Sequence, residues 1–262
     1  MFRKINKFRK DFNRLRKENS LSRTVFYYYS KKLSQRKTLK MKISSENIHL
    51  RTSSPDLSVA LSSLGDEFSS LKYAYPASKK GLILDAGGYI GTSAICLAKM
   101  YPEATVVTIE PSSENFELLK MNIVGKDNIY AENAALAPRE TDKHITLRNR
   151  GTGHWGFTIV ENPNGKKISE AEIVTTVTIN DILSKYGFTE ILILKMDIEG
   201  GEYELFKDPQ WLQKTNILVV ELHERIVSGC EKAFHQCNHD RFVYKTNGEK
   251  YFSIGKNYFS EL

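Results

Sequence analysis

The sequence predicts an α/β protein: a mainly parallel, Rossmann-like sheet of seven strands, one of them antiparallel, with helices on both faces. Three observations lead there. Apolar runs of strand length alternate with helical patterns from residue 82 onward, and a glycine cluster directly follows the first of those runs. The last two runs, 241–246 and 250–254, are joined through Asn247-Gly248, a hairpin signal that makes them antiparallel. With 262 residues, 40% of them hydrophobic, the chain can bury one sizeable core.

Residues 1–42 read as a basic amphipathic extension. They hold 15 Lys and Arg against only Asp11 and Glu18, whereas the rest of the chain holds 23 basic and 29 acidic side chains. The net charge of +7 therefore belongs to the extension, and the body is acidic. Phe2, Ile5, Phe8, Phe12 and Leu15 recur at helical steps with basic residues between them. Such a helix docks its stripe on the domain, lies on an anionic membrane surface, or serves nucleic-acid binding or organelle targeting, nucleic acid being the least expected partner. Tyr27-Tyr28-Tyr29 is either an interfacial aromatic anchor or a packed element end, the latter the plainer reading. No apolar stretch resembles a secretory signal or a membrane span, so a cytoplasmic location is expected, peripheral at a membrane if the extension engages lipid. Three cysteines in a chain this long fit a reducing compartment. Cys230, His235, Cys237 and His239 match no standard zinc spacing, and Val227, Cys230, Phe234 and Cys237 instead read as the core face of a helix.

Residues 43–80 form a helical lead-in. Ser54-Pro55-Asp56 starts a helix, Leu57, Ala60, Leu61, Leu64, Phe68 and Leu71 form its stripe, and Pro76 ends it. The main domain, 81–262, opens with strand 82–85, helix 91–100, strand 105–110, helix 113–124 and strand 128–134. Between the first strand and helix, Asp85-Ala86-Gly87-Gly88-Tyr89-Ile90-Gly91 carries the chemistry. Gly87 and Gly88 let backbone approach a ligand, and Gly91 lets the helix pack on the strand. A carboxylate at the strand end repels pyrophosphate but suits the cationic amino group of S-adenosylmethionine (SAM), and Ala86 breaks the dinucleotide fingerprint. Glu110 ends the second strand 19 residues after Gly91, where a βαβ unit delivers a carboxylate to ribose hydroxyls.

Residues 135–178 are the least regular, with β-like runs at 144–147, 157–160 and 173–178. Gly153-His154-Trp155-Gly156 within them is a candidate acceptor wall. Helix 180–186, strand 190–197, helix 202–207, strand 216–223 and helix 225–237 follow. The run Leu194-Lys195-Met196-Asp197-Ile198-Glu199-Gly200-Gly201-Glu202 places charges at the carboxyl end of a buried strand, the end that faces the ligand crevice. Glu221 and His223 share a face of the next strand. These groups either form a structural ion-pair network, with Lys195 on Glu221 or Asp197, or act beside the donor; the second reading is preferred.

At these residues the chain resembles the FkbM-type family of SAM-dependent methyltransferases. The motifs are Leu84–Gly91, Ile109-Glu110-Pro111, Leu194–Glu202 and Val220-Glu221-Leu222-His223, spanning roughly 80–225. The resemblance implies a class I methyltransferase fold and O-methylation of a sugar, glycan or natural-product hydroxyl. One departure is Thr178-Ile179-Asn180-Asp181, where the family tends to have Leu-Asp at 179–180, so that Asp181 is left as a substitute acid. The expected SAM site comprises Asp85, Gly87, Gly88, Tyr89, Gly91 and Glu110, with Pro111, Asn133 and Asp197.

Methyl transfer from a sulfonium is an in-line displacement that gains most from alignment, but a hydroxyl acceptor must still lose its proton. His223 is the expected general base, with Asp197 orienting acceptor or imidazole and Lys195 completing the catalytic set. A second route is Mg²⁺ held by Asp197, Glu199 and Asp181. Competing readings are a nicotinamide oxidoreductase on the same βαβ unit and a non-catalytic polyanion-binding protein.

Overall fold

The computed structural model describes residues 2–33, 37–139, 144–151, 154, 156–161, 169–246, 250–256 and 258. The chain opens with α1 (Phe2–Arg16) and α2 (Leu21–Lys32), a hairpin of β1 (Thr38–Ile43) and β2 (Glu46–Arg51), and α3 (Asp56–Ser63). Then come β3 (Leu82–Ala86), α4 (Thr92–Met100), β4 (Thr105–Ile109), α5 (Ser113–Ile123), β5 (Ile129–Glu132) and β6 (Ala135–Leu136). β7 (His144–Asn149), β8 (Phe157–Thr158), β9 (Ser169–Val177), α6 (Ile179–Tyr186), β10 (Ile191–Met196) and α7 (Glu202–Lys207) follow. The chain continues through β11 (Thr215–Glu221), α8 (Cys230–Cys237), β12 (Phe242–Lys245) and β13 (Lys250–Ile254).

The main sheet has seven strands in the order β12-β13-β11-β10-β3-β4-β5. Every pairing is parallel except the two made by β13, so β13 is its single antiparallel strand. The chain builds outward from β3 to β5 and later returns to place β10 on the other side of β3. That reversal puts a crevice at the carboxyl ends of β3 and β10, where open α/β sheets hold their ligands.

Alternation along the strands divides the interior into two layers. Ile83, Val106, Ile193, Ile217 and Val219 face one layer, which also takes in Leu97 of α4 and the N-terminal residues Leu15, Tyr27, Met41, Ile48 and Leu61. Leu84, Val107, Leu194, Met196, Leu218 and Val220 face the other, against Ile182, Leu205 and Phe234 of α6, α7 and α8. Burial of a Leu or Ile side chain contributes about 1.5–3 kcal/mol, and both layers repeat it many times.

The boundary expected at 42/43 falls inside β1, and the end of α1 docks on the body through fully buried Leu15. Glu18 fastens the same region, its carboxylate accepting from Ser44 N at 2.8 Å and Ser45 N at 2.6 Å. Within 135–178, the described residues form a separate four-stranded sheet, β6-β9-β7-β8. The helix expected from 225 begins only at Cys230: Ile226 N and Val227 N both turn back to His223 O, and Gly229 adopts φ +90°. Val227 therefore precedes the helix, whose core face is Cys230 and Phe234. Asn247-Gly248 lies outside the described residues; the strands on either side pair antiparallel, as expected.

Candidate active site

The glycine loop is shaped first by its neighbours. A side chain at Gly87, φ +80°, would place Cβ 1.8 Å from Asp197 O, and one at Gly88 would meet Thr108 Oγ1 at 2.0 Å. The loop can thus lie directly against the ends of β10 and β4 only as glycine. Gly91 caps α4 at φ +85°, with Leu119 and Ile123 of α5 at 3.2 and 3.3 Å from where its Cβ would be.

Asp85 does not reach the crevice. Fully buried, its carboxylate accepts from Ser93 Oγ at 2.7 Å and Thr108 Oγ1 at 2.9 Å, and Lys195 Nζ lies 3.2 Å from its other oxygen. Register explains the pairing: Lys195 on β10 stands opposite Asp85 on β3. Lys195 also donates to Gly87 O at 2.6 Å, tying the loop down. Burial alone would lower the lysine's pKa, but Asp85 and Asp197 outweigh it and hold the ammonium above its ordinary value. The direct contact expected between Asp85 and the donor's amino group is thereby replaced by a buried ion pair behind the loop. In the alternative reading of a structural network, Lys195 would pair with Glu221 or Asp197; its ion-pair partner is Asp85 instead, and Glu221 lies 3.7 Å from Lys250.

In front of the loop is a cavity of about 540 Å³, a size that suits a cofactor and part of an acceptor. Gly87, Gly88, Tyr89, Glu110, Pro111, Lys195, Asp197 and Glu199 line it. Glu110 accepts from Tyr89 N at 2.8 Å, Ser112 N at 3.1 Å and Asn115 Nδ2 at 3.1 Å. Burial nevertheless pushes its carboxyl up to about 7. Asn133 braces this turn from outside, donating to Glu110 O at 2.9 Å and Pro111 O at 3.1 Å. A network the sequence did not reveal runs from the N-terminal unit into the same wall. Arg51 pairs with Asp56 at 3.0 Å and donates to Asn115 Oδ1 at 2.8 Å, while Tyr89 OH donates to Asp56.

The second constellation gathers beside it. His223, 1% exposed, has Nδ1 2.9 Å from Glu202 Oε1 and Nε2 3.6 Å from both Asp197 Oδ1 and Glu199 Oε2. Glu202 is fixed by Ile198 N at 2.9 Å and Gly200 N at 2.8 Å, so the Glu-Gly-Gly-Glu turn wraps its own carboxylate and aims it at the imidazole. Glu202 thus does more than start a helix. Burial lowers the basicity of His223, but Glu202 first, then Asp197 and Glu199, overcome it and raise its pKa to about 9. That shift favours the charged imidazole in the ligand-free site. Burial pushes the Glu199 carboxyl up to about 7, although His223 and Arg150 oppose the shift.

Asp197, Glu199 and His223 offer ligand atoms within 4.8 Å of one another, the one group of potential metal ligands among the described residues. Asp181 is not part of it: its carboxylate accepts from Thr178 N and Oγ1, both at 2.8 Å, in the capping box of α6. Cys230, His235, Cys237 and His239 gather no ligand cluster; His235 and His239 are exposed. Phe157 of β8 and its chain neighbours Arg150, His154 and Ile159 complete the cavity lining. Trp155 lies outside the described residues.

A switch-point crevice of this kind, with a buried acid at the end of its second strand and six parallel strands beside one antiparallel, is the architecture of class I SAM-dependent methyltransferases. Residues 85–239 match the methyltransferase FkbM domain model, and the chain belongs to that family. Among curated relatives, methyltransferase sdnD of Sordaria araneosa is 24% identical over 174 residues, covering 52% of this chain and 64% of its own length. Methyltransferase 1 of Beauveria bassiana (strain ARSEF 2860) is 23% identical over 163 residues, covering 55% and 66%. The chain spans just under two thirds of the length of each. The O-methyltransferase from Bacillus cereus, solved in complex with SAH, has a TM-score of 0.41 and 12% identity, covering 72% of this chain and 79% of that one.

Proposed function

We propose that the chain is a SAM-dependent O-methyltransferase acting on a hydroxyl of a glycan or natural product. The observation that carries this reading is the Asp197, Glu199, His223 cluster, whose two carboxylates stand in the wall of the cavity that begins at the glycine loop, with the buried imidazole behind them. When bound, SAM supplies an electrophilic methyl group. Gly87, Gly88 and Tyr89 would floor its site with backbone, and Glu110 would take the ribose hydroxyls. Asp85 serves through Lys195, as a positioning pair that holds the loop. At neutral pH the protonated His223 holds the two carboxylates in place. The acceptor proton passes to the carboxylate cluster, with Glu199, whose carboxyl burial raises to about 7, as the base best matched to the task.

One observation favours a second route through the same residues. Asp197, Glu199 and His223 could hold a divalent cation, with Glu202 orienting the imidazole as carboxylates behind metal-bound histidines do. Such an ion would polarise a hydroxyl as a Lewis acid. Two carboxylates and one imidazole suit a first-row transition ion better than Mg²⁺, which prefers oxygen ligands.

The test is transfer of labelled methyl from SAM to a panel of hydroxylated glycans and natural products, with and without a chelator. Labelled product carrying an O-methyl group supports the proposal, and labelling of nitrogen or carbon alone defeats it. Loss of activity on chelation, restored by Mn²⁺, selects the metal route.

A further inference from the structure

Helix α2 is inside out. Its buried face carries Thr24, Tyr27 and Ser30, and the Tyr27 and Ser30 hydroxyls there have no hydrogen-bond partner among the described residues. Its outer face carries Leu21, Val25, Phe26, Tyr29 and Leu33, which are 44% to 58% exposed. At 100° per residue those five span less than half the helix circumference, a continuous apolar stripe rather than scattered side chains. Phe8 of α1, 48% exposed, extends it by packing its ring edge-on against Tyr28 at 4.9 Å. A helix that buries hydroxyls without partners and exposes its large apolar residues gains more when a second apolar phase covers its outer face.

Charge says which phase. Residues 1–42 carry 15 Lys and Arg, and of their two acids Glu18 is consumed by the Ser44 and Ser45 amides. Arg23 and Lys32 are exposed on α2 itself, and no acid stands in its first turn. The rest of the chain is net acidic, so the apolar stripe lies within the segment that carries the chain's basic excess. The patch also adjoins the cavity: Lys7 of α1 donates to Ser58 Oγ at 3.1 Å, and Ser58, Val59 and Ser62 form part of the cavity lining.

We propose that α1 and α2 form a docking surface for an anionic lipid bilayer, with the outer face of α2 entering the interface and the basic side chains meeting lipid headgroups. Docking would hold the cavity close to the bilayer and favour an amphiphilic or lipid-borne hydroxyl acceptor. The acceptor class rests on the methyltransferase reading above; the docking itself does not.

The experiment is co-sedimentation of the full chain with phosphatidylcholine vesicles, with and without phosphatidylserine, at low and high salt. Partition onto phosphatidylserine vesicles that weakens with salt is expected. Removing each charge in Arg23→Gln and Lys32→Gln should lower it roughly fivefold. Val25→Glu with Tyr29→Glu should abolish it while affinity for S-adenosylhomocysteine, measured by calorimetry on the same sample, stays unchanged. Retained vesicle binding in the stripe variant, or equal binding to both vesicle types at all salt concentrations, overturns the proposal. So does light scattering showing that the stripe pairs two copies of the chain while vesicles are ignored. Failure of methyl transfer with docking intact would count against the activity alone.

Discussion

Lys195 Nζ bridges two strands at the switch point, 3.2 Å from Asp85 Oδ1 on β3 and within hydrogen-bond distance, 2.6 Å, of Gly87 O in the loop beyond it. Both partners are buried, so breaking the pair strands a charge in the sheet. Lys195→Met should destabilise the fold by about 3–5 kcal/mol and release the loop, weakening SAM binding. Thermal unfolding and calorimetry on the same variant check both effects. The double variant Lys195→Met, Asp85→Leu should recover much of the stability but not the binding.

The loop tolerates no side chain where it meets β10. Gly87→Ala would drive Cβ to 1.8 Å from Asp197 O at a φ of +80°, so either the loop or the end of β10 must move. Loss of S-adenosylhomocysteine binding is expected, with a fall in stability of a few kcal/mol. Gly125→Ala is the matched control: it shares the left-handed backbone, φ +76°, but its Cβ would meet nothing within 4 Å.

Glu110 makes binding sensitive to pH. Its folded-state pKa of about 7 stands above the ordinary 4.5, so its stabilising contribution is complete below about pH 4.5 and is lost as pH rises through about 7. Ribose hydroxyls donate to the ionised form, so affinity for S-adenosylhomocysteine should rise from about pH 6 to about pH 8. Glu110→Gln should bind more weakly and flatten that rise. An unchanged slope in the variant would place the titration elsewhere.

His223 runs the other way. Raised from 6.5 to about 9, it contributes stability that is complete below about pH 6.5 and disappears as pH rises through about 9. The melting-temperature difference between parent and His223→Ala should therefore be largest near pH 6 and shrink toward pH 10. His223→Ala and Asp197→Ala should keep S-adenosylhomocysteine binding and lose roughly 10²–10⁴-fold in methyl transfer. Parent-like turnover in both would remove them from the chemistry.

The sheet was legible because its strands are buried on both faces and read as unbroken apolar runs, from Leu82 to Leu84 and from Ile191 to Leu194. The chemical residues stood out as charges where those runs end. Their partners were hidden, since pairing depends on which strands become neighbours: Lys195 meets Asp85 because β10 returns beside β3, not because of any spacing between them. Glu202 looked like a helix-starting acid because its grip on His223 exists only once the turn closes. The strands of the small sheet showed as β-like runs at 144–147, 157–160 and 173–178, but not their assembly into a separate sheet, because β7 and β9 pair across a long connection. The N-terminal pattern showed an apolar stripe on α1, whose end is buried at Leu15, but not the outward stripe of α2.

Calorimetric titration of the full chain with S-adenosylhomocysteine and, in parallel, with NAD tests the central claim most directly. The switch-point cavity, with Glu110 in its wall and Ala86 where a dinucleotide site wants glycine, predicts one S-adenosylhomocysteine bound per chain, no heat from NAD, and loss of the signal in Gly87→Ala. Saturable binding of NAD, or no binding of S-adenosylhomocysteine by the folded chain, would contradict it.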